Sequence, residues 1–424
     1  MSREMKDSGV KWIGKIPKDW EIRKLKTIAS IVTGNTPSKT NNNLYYSNEG
    51  VMWVKPDNLD EYTSISYTKE KLNEDGVKIA RIAKAGSTLV CCIGSIGKFG
   101  IIGEDSAFNQ QINAVTFFDQ ICNSKYGTYL IDISENQHWY YANGNVLKIL
   151  NNENQGKILL PLPTLKEQKK IADFLDEKVR EIDRLIHNAK KSIEEYKKYK
   201  QSVITEAVTK GLDSSIDMKH SGIEWIGKIP KHWKVLKIKY ILEWKSEKGY
   251  PNETVLSLYR DYGIVPKDSR DDNHNVTSLD TSSYKLVDKG DFVINKMKAW
   301  QGSMAVSRYR GIVSPAYHVC RFKNNNVNKE YFHYLLRNKL YLPEFRRLST
   351  GLRIGQWDLG FEDFKKLPYL LPSNKEQDEI VNYLNHKCSE IDNLISKKEK
   401  LISELESYKK SLIYEYVTGK KEVL

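Results

Sequence analysis

The sequence predicts an α+β protein in which two β-rich globular domains are joined by two long helices that form an antiparallel coiled coil. Three observations predict this fold class. Residues 8–20 return as residues 221–233 with ten of thirteen positions identical. Long heptad patterns follow Pro163 and Pro372. Between these repeats, short β-branched runs alternate with turn residues. The chain is therefore expected to be a tandem repeat with pseudo-twofold symmetry.

Length and composition restrict the class of protein further. A chain of 424 residues is too long for one core. Its net charge of +13 and pI near 9.1 favour a polyanionic partner such as nucleic acid. The five cysteines are scattered without a C-x-x-C motif, which indicates reduced thiols rather than zinc ligands or disulfides. Neither a signal peptide nor a long apolar run is present, so we expect a cytoplasmic protein without a membrane span.

Each half is predicted to consist of a globular domain followed by a helical region. We call residues 8–20 and 221–233 the tryptophan motifs, and we expect each to pack a turn against its globular domain or a helix end. Short helices are predicted near residues 124–133 and 329–339. The predicted divisions are a first globular domain over 1–160, a helical region over 161–211, a second globular domain over 212–371 and a helical region over 372–424.

Each long helix is predicted to begin at a capping box. In this motif a hydroxyl and a glutamate three residues later satisfy backbone N–H groups that have no partner inside the helix. The two boxes are Thr164 with Glu167 and Ser373 with Glu376, each directly after a proline.

Alternating steps of three and four residues place a narrow apolar seam on each helix, as in a coiled coil. An amphipathic helix packed on a globular core is the alternative, but a narrow stripe on a helix of about 60 Å favours the coiled coil. Each helix is expected to end near a glycine, Gly211 or Gly419. The predicted seam comprises Ile171, Leu175, Ile182, Leu185, Ile380, Leu384, Ile391, Leu394, Leu405 and Leu412.

The sequence offers no catalytic motif. The glycine-rich run 94–100 has the wrong spacing for a nucleotide-binding P-loop. Carboxylate-x-Lys triplets at 176–178 and 363–365 are attributed to chance, since the first lies on the predicted coiled coil. The eight histidines show no metal-ligand spacing. We therefore expect neither a catalytic residue nor a bound cofactor or metal in this chain.

Both globular domains contain side chains suited to binding double-stranded DNA. Lysine and arginine can pair with phosphates or with the O6/N7 edge of guanine, and asparagine and glutamine with the N6/N7 edge of adenine. The candidates are Thr33, Asn35, Lys39, Thr40, Lys55, Asn58, Ser95, Lys98, Asn109, Gln110 and Gln111 in the first domain, and Lys296, Lys298, Trp300, Gln301, Arg308, Arg310, Arg353, Gln356 and Trp357 in the second.

A specific resemblance rests on duplicated motifs around the helices. On these motifs and their order, the chain resembles the specificity subunit of a type I restriction-modification system over nearly its whole length. The motifs are Leu162-Pro163 with Glu167-Gln168 and the segment 181–186, then Leu371-Pro372 with Glu376-Gln377 and the segment 390–395, together with both tryptophan motifs.

The resemblance implies that each globular domain is a target-recognition domain for one half of a bipartite DNA sequence. The coiled coil would act as the spacer between them. Two methyltransferase (modification) subunits would dock on the helices, and restriction subunits would join that complex. S-adenosylmethionine, ATP and magnesium would belong to those partners, so this chain itself would be a non-catalytic subunit.

Two other readings of the sequence remain open at this point. The chain could be a stand-alone regulatory protein that binds a bipartite site through a coiled-coil spacer. It could also be a nuclease or methyltransferase fused to recognition domains, although its length and missing motifs argue against an enzyme. Measuring DNA affinity with and without a modification subunit distinguishes a stand-alone regulatory protein from a specificity subunit.

Overall fold

The computed structural model describes residues 3–38, 44–260, 262–269, 280–323, 326–351 and 357–423. It divides into two compact units. Unit 1 comprises Met1–Ala189 with Lys400–Leu424, and unit 2 comprises Lys190–Glu399. We call residues 3–164 head 1 and residues 211–373 head 2.

The first half of the chain contains fourteen strands and five α-helices in its described part. The strands are β1 (Met5–Asp7), β2 (Lys15–Pro17), β3 (Glu21–Lys24), β4 (Ala29–Thr33), β5 (Tyr46–Ser47), β6 (Val51–Val54), β7 (Ser64–Ile65), β8 (Lys71–Leu72), β9 (Ile82–Ala83), β10 (Thr88–Cys91), β11 (Phe99–Ile102), β12 (Ser106–Phe108), β13 (Ile112–Phe117) and β14 (Leu159–Leu162). The helices are α1 (Glu74–Ile79), α2 (Ser124–Ile133), α3 (Glu135–Tyr141), α4 (Asn152–Gln155) and α5 (Leu165–Lys210).

The second half contains twelve strands and four α-helices among the residues described. The strands are β15 (Met218–His220), β16 (Lys228–Pro230), β17 (Lys234–Lys237), β18 (Leu242–Lys245), β19 (Leu256–Tyr259), β20 (Gly263–Pro266), β21 (Lys285–Val287), β22 (Phe292–Asn295), β23 (Met304–Val306), β24 (Gly311–Val313), β25 (Tyr317–Phe322) and β26 (Pro368–Leu371). The helices are α6 (Lys329–Leu336), α7 (Leu342–Leu348), α8 (Phe361–Phe364) and α9 (Asn374–Val417).

The two heads share one sheet topology although their sequences differ. In head 1 the strands are ordered β4-β13-β10-β11-β7, and in head 2 they are ordered β18-β25-β22-β23. The first four strands correspond one to one, and their pairings are antiparallel in both heads. A second correspondence involves β12, which pairs antiparallel with β9, and β24, which pairs antiparallel with β21. The tandem repeat therefore includes the heads, and the predicted α+β class is confirmed.

We call β10 and β22 the central strands of head 1 and head 2. Both are buried along their whole length because each sends alternate side chains into two separate cores. In β10, Val90 enters one apolar cluster while Leu89 and Cys91 enter another. In β22, Phe292 and Ile294 enter one cluster while Val293 enters a second. Side chains alternate across a strand, so a sheet covered on both faces needs continuous apolar runs.

Both long helices begin directly after the predicted capping residues and end near the predicted glycines. Across the described residues, the predicted capping box at Thr164 is not formed, because the Glu167 carboxylate accepts from Arg3 and Trp20 instead. Ser373 and Glu376 form the predicted capping box, with the Ser373 N–H donating to Glu376 at 3.0 Å and the Glu376 N–H donating to Ser373 Oγ at 3.3 Å. Gly211 follows α5 at φ +77°, a left-handed conformation that suits glycine at a helix end. At Gly419 a side chain would overlap the Pro17 ring, so the end of α9 lies directly on the first tryptophan motif.

The seam residues are mostly buried, with two exceptions. Leu185 is 46% exposed and Leu394 is 42% exposed. Their chain neighbours face inward instead, since Ile186 is buried and Ile395 half-buried. The alternating three- and four-residue steps continue through these neighbours, so the inward stripe passes one residue later than the predicted seam at both points. Buried positions from the predicted seam are Ile171, Leu175, Ile182, Ile380, Leu384, Ile391 and Leu412, with Leu405 half-buried.

Within each unit the long helices pair antiparallel. In unit 1 the rings of Phe174 and Tyr416 lie 4.6 Å apart, and Asp183 accepts a hydrogen bond from Lys409 at 2.8 Å. Residue numbers thus rise along α5 while they fall along α9. In unit 2 the apolar cluster joins the end of α5 to the beginning of α9, and Lys200 pairs with Asp392 at 2.6 Å. The predicted antiparallel arrangement is therefore present in each unit.

A buried glutamine fastens the start of each long helix to its head. The Gln168 side chain accepts from the Asn123 N–H at 2.8 Å and donates to the carbonyl oxygens of Ile121 and Pro163 at 3.0 and 2.8 Å. In the second half, Gln377 makes the same three bonds, to the Asn328 N–H and to two carbonyls, at 2.8 to 3.2 Å. Each glutamine therefore ties its long helix to the residue that caps α2 or α6.

The tryptophan motifs pack as the repeat predicts. Trp20 and Trp233 are both fully buried. The Trp20 indole N–H donates to Glu167 at 3.1 Å, and the Trp233 indole N–H donates to Glu376 at 3.2 Å. Glu167 is also paired with the Arg3 guanidinium. Each motif therefore contacts the first turn of the long helix in its own half.

Candidate nucleic-acid interface

Several DNA-binding candidates of each head lie at the same position in the shared fold. A loop follows each central strand, at residues 92–98 in head 1 and 296–303 in head 2. The Cys92 N–H donates to the Gln111 carbonyl at 2.7 Å, and the Lys296 N–H donates to the Ala316 carbonyl at 3.3 Å. Each loop is thus joined to the three-residue turn before β13 or β25.

A third segment completes this surface in each head. The Leu150 N–H donates to the Cys92 carbonyl at 2.9 Å, and the Leu359 N–H donates to the Lys296 carbonyl at 3.1 Å. We call the combined surface the loop edge. It consists of residues 92–98, 109–111 and 143–150 in head 1, and of residues 296–303, 314–316 and 357–359 in head 2.

In head 1 the segment after β4 lies against the loop edge. The Thr33 hydroxyl donates to Asn113 at 2.8 Å, and Thr36 contacts Gln110. Gly34 approaches so closely that a Cβ there would overlap the Asn109 carbonyl oxygen. The structure therefore brings the segment that carries the candidates Thr33 and Asn35 next to the candidates Asn109 and Gln110, although Thr36 and Gln110 are 74 residues apart in sequence.

Several candidate amides in head 1 hold the backbone of the loops. Asn35 donates to the Ile79 carbonyl at 2.8 Å. Asn58 accepts from the Lys55 N–H at 2.9 Å, and Asn109 accepts from the Gln111 N–H at 3.1 Å. Their immediate role is to fix the conformation of the loops. Other candidate side chains, such as Ser95 and Gln110, are exposed at the surface.

The two described cationic candidates of head 1, Lys55 and Lys98, lie on neighbouring segments. Lys98 donates to the Pro56 carbonyl at 3.1 Å, which places its loop beside the segment that carries Lys55. Lys55 pairs with Glu70, and its ammonium lies 4.6 Å from the centre of the Trp53 ring. Ser95, by contrast, is exposed at the tip of the loop.

In head 2 the structure joins candidates from two distant parts of the sequence. The rings of Trp300 and Trp357 lie 5.5 Å apart in an edge-to-face arrangement. The Arg346 guanidinium lies 5.6 Å from the centre of the Trp300 ring and 6.0 Å from that of Trp357. Lys296 pairs with Asp358 at 2.9 Å. An aromatic cluster with two cations therefore occupies this loop edge.

The remaining candidates of head 2 are more dispersed. Arg308 is exposed and lies 3.7 Å from Glu330. Arg310 pairs with Glu253 at 2.8 Å and with Asp288. Both arginines lie on the connection between β23 and β24, outside the loop edge. Lys298 and Gln301 are exposed on the loop that carries Trp300. Lys39, Thr40, Arg353 and Gln356 lie outside the described residues.

Two cations that no sequence motif indicates, Arg81 and Lys285, occupy equivalent positions in the two heads. In head 2, the backbone of Lys285 in β21 lies opposite Val313, which is the last residue of β24. Continuing the β9–β12 register by one residue places Arg81 opposite Phe108, the last residue of β12. Arg81 donates to the Thr33 carbonyl. Neither residue belongs to a polar cluster in the sequence, so only the strand pairing makes their equivalence visible.

Lys285 is largely buried at the turn before β25. Its ammonium donates to the carbonyl oxygens of Tyr317 at 2.6 Å and Pro315 at 3.1 Å. Burial lowers its pKa, and the nearby charges of Lys248 and Lys296 lower that pKa further. An anion such as a DNA phosphate would relieve this repulsion between cations.

The described residues also bear on other functions. Across them, no group of three or more histidine, cysteine or acidic side chains is placed to hold a metal ion. In the same part of the chain, no helix combines the length and apolar character needed to span a bilayer. Burial raises the pKa of the Cys92 and Cys122 thiols to about 12, so neither is an activated nucleophile.

Known proteins resemble this chain in sequence. The family model of the type I restriction modification DNA specificity domain matches residues 17–195 and 230–407. The MjaIX specificity subunit of Methanocaldococcus jannaschii is 28% identical over 258 residues, which span 57% of this chain and 56% of that subunit. The alignment therefore covers little more than half of that relative. The MjaVIII specificity subunit of the same organism is 25% identical over 365 residues, spanning 80% of this chain and 79% of its own.

Solved structures resemble it in fold. A chain from work on complex assembly and conformational transition of the type I R-M system superposes with a TM-score of 0.72 at 15% identity, covering 96% of this chain and 99% of that one. The HsdS subunit of Thermoanaerobacter tengcongensis superposes with a TM-score of 0.53 at 15% identity, covering 96% and 98%. At this level of identity the likeness concerns the fold.

Proposed function

The chain belongs to the type I restriction-modification DNA specificity family, and from this membership we propose that it is the sequence-recognition subunit of a type I restriction-modification complex. Each head would bind one half of a bipartite DNA target. The chain would supply recognition, and the chemistry would come from partner subunits.

The equivalence of the two loop edges carries this proposal. Two heads with the same strand order use the same surface to expose different polar, basic and aromatic side chains. On the loops that follow the central strands, head 1 exposes Ser95, whereas head 2 exposes Lys298 and Gln301. A constant scaffold with a varied surface suits two readers of two different half-sites.

The long helices would set the spacing between the half-sites and provide the surface on which two modification subunits dock. Restriction subunits would then join the assembly. S-adenosylmethionine, ATP and magnesium would be bound by those partners. Removing one heptad from both α5 and α9 is expected to shorten the preferred spacer or abolish activity, and an unchanged spacer would contradict this role.

Phosphate contacts would provide most of the affinity and make it dependent on salt. A few contacts to base edges in each head, each contributing about 1–3 kcal/mol, would provide sequence choice. The base to be methylated would have to leave the duplex to reach a catalytic centre, a step assigned to the modification subunit.

The proposal is tested by purifying the chain alone and together with its modification subunit. The complex is expected to methylate a bipartite sequence in the presence of S-adenosylmethionine and to bind that sequence more tightly than random DNA. Lys296→Met is expected to weaken this binding, whereas Lys366→Met provides a matched control because Lys366 is exposed in head 2 outside the loop edge.

Two outcomes would contradict the proposal. If the chain alone binds its bipartite site as tightly as the complex does, a stand-alone DNA-binding protein is the better description. If the pure chain cleaves or methylates DNA without a partner, it is an enzyme in its own right.

A further inference from the structure

One segment of the head 1 loop edge exposes apolar side chains at its tip. Val146 is fully exposed and Leu147 is 55% exposed. The segment is not a loose connection, because Asn143 and Ile149 pair in both directions. The Asn143 N–H donates to Ile149 at 3.0 Å, and the Ile149 N–H donates to Asn143 at 2.8 Å. Two adjacent aliphatic side chains therefore stand at the end of a closed loop.

The base of this loop is anchored in the head. Leu150 is buried in a small apolar cluster with Ile96 and Ala142. At Gly144, φ is +122° and a side chain would overlap the Leu147 carbonyl oxygen, so the turn closes tightly. An anchored loop can hold its tip against a partner without a large loss of conformational entropy on binding.

The surroundings of the tip are cationic and aromatic. Ile149 forms an antiparallel bridge with Ile93, which places the base of this loop beside the loop that carries Lys98. Next to the tip, the Lys148 ammonium lies 5.9 Å from the centre of the Trp139 ring. Cations flanking an apolar projection match a nucleic acid duplex, in which phosphates flank a stack of apolar base faces.

We propose that Val146 and Leu147 form an apolar wedge that enters the base stack of the half-site bound by head 1. Lys98 and Lys148 would contact the phosphates on either side. This inference rests on the proposed function, since it assigns a role to one part of the same surface. Partial unstacking would make recognition depend on how easily a base step opens, and so would add sequence preference without a hydrogen bond to a base.

Head 2 has a loop closed at the corresponding position. Thr350 and Asp358 pair through their backbones at 3.0 and 2.8 Å, as Asn143 and Ile149 do in head 1. Its described flank carries Trp357, and residues 352–356 lie outside the described residues. The wedge is therefore proposed for head 1, where the structure describes the tip.

The test uses the complex with the modification subunit and a duplex whose target is first identified by methylation mapping. 2-Aminopurine is placed at successive positions of the head 1 half-site, apart from the methylated base. Wild-type complex is expected to raise fluorescence several-fold at one step. Replacing both tip residues, Val146→Ser with Leu147→Ser, is expected to remove that increase and to weaken binding about tenfold.

Two further variants make the result decisive. Val146→Ile with Leu147→Met keeps an apolar tip and is expected to retain the fluorescence signal. Tyr67→Ser removes another exposed apolar side chain of head 1, 71% exposed, and is expected to leave the signal unchanged.

A fluorescence increase that survives in the serine double variant would overturn the wedge. Normal DNA binding with failed assembly of the modification subunit would also overturn it, and would identify the tip as a protein-docking surface. Failure of the proposed function is distinguishable, since the wild-type complex would then show no sequence-specific binding.

Discussion

The internal repeat is retained in the two long helices and the residues that anchor them, which we call the frame. It is lost in the side chains of the loop edges. In the frame, the same residue types make the same bonds twice, as Gln168 and Gln377 do with the backbone of each head. On the loop edges the backbone contacts are repeated while the residues change, as between Cys92 and Lys296. The repeat is retained where geometry must be equal in both halves, and it is lost on the surfaces that, under the proposed function, would contact different half-sites.

One core position shows both tendencies together. Strand pairing places Asn113 and His318 at equivalent sites in β13 and β25. Asn113 donates to the Leu150 carbonyl at 3.0 Å, and the His318 ring nitrogen contacts the Leu359 carbonyl at 3.2 Å. The contact is conserved between heads although the side chain is not.

The largest expected effect tests whether Gln168 and Gln377 stabilise their own units equally. Gln168→Leu and Gln377→Leu each leave three backbone groups without their partner, and each is expected to destabilise its own unit by about 3 kcal/mol. Hydrogen exchange measured by mass spectrometry reports the two units separately. Gln120→Leu, at an exposed position of head 1, serves as the control. Strongly unequal costs for the two glutamines would break the equivalence.

The buried His138 is expected to contribute less to the stability of unit 1 at acid pH than at neutral pH. Burial lowers the pKa of His138 from 6.5 to about 4, so the folded state keeps it neutral. Between those values the unfolded chain binds the proton and the folded chain does not, so the contribution of His138 falls by about 2 kcal/mol from pH 7 to pH 5. Burial raises the pKa of Asp132 to about 6, which acts in the opposite direction, so the contribution of His138 is measured by comparing a variant with wild type.

His138→Phe is expected to remove this contribution in unit 1 and to leave the pH dependence of unit 2 unchanged. The measurement is hydrogen exchange at both pH values, corrected for intrinsic rates. The same pH slope in the variant and in wild type would exclude His138 as its origin.

A smaller effect is expected from the two equivalent cations, Arg81 and Lys285. Arg81→Met and Lys285→Met should each weaken binding to one half-site several-fold, and should lower the slope of log affinity against log salt by about 0.9 if each contacts one phosphate. Binding is titrated over a salt series on duplexes with one half-site altered at a time. Lys285→Arg keeps the charge and should restore the slope. An unchanged slope would remove these cations from the interface.

Local signals made the frame predictable from sequence. The capping box at Ser373 and the glycine ends depend on residues close in the chain, and the predicted short helix at 124–133 matches α2. The phase of the seam was harder to assign, since Leu185 and Ile186 are both apolar and either fits a heptad on its own. Packing selects Ile186.

The shared topology of the two heads was less predictable, because it does not depend on residues that are close in the sequence. The strand order β4-β13-β10-β11 depends on pairings between distant segments, which periodicity does not reveal. For the same reason Arg346 was not among the candidates, since only the fold brings it close to Trp300 and Trp357. The apolar tip at Val146 was missed because exposure cannot be read from residue type.

Methylation mapping of cells that express the chain with its modification subunit tests most directly whether each head reads its own half-site. Wild-type protein is expected to give one motif with two defined halves and a fixed spacer. Lys296→Met with Trp300→Ala, both on the head 2 loop edge, should relax one half and leave the other half and the spacer intact. A continuous motif, or equal relaxation of both halves, would contradict independent reading by the two heads.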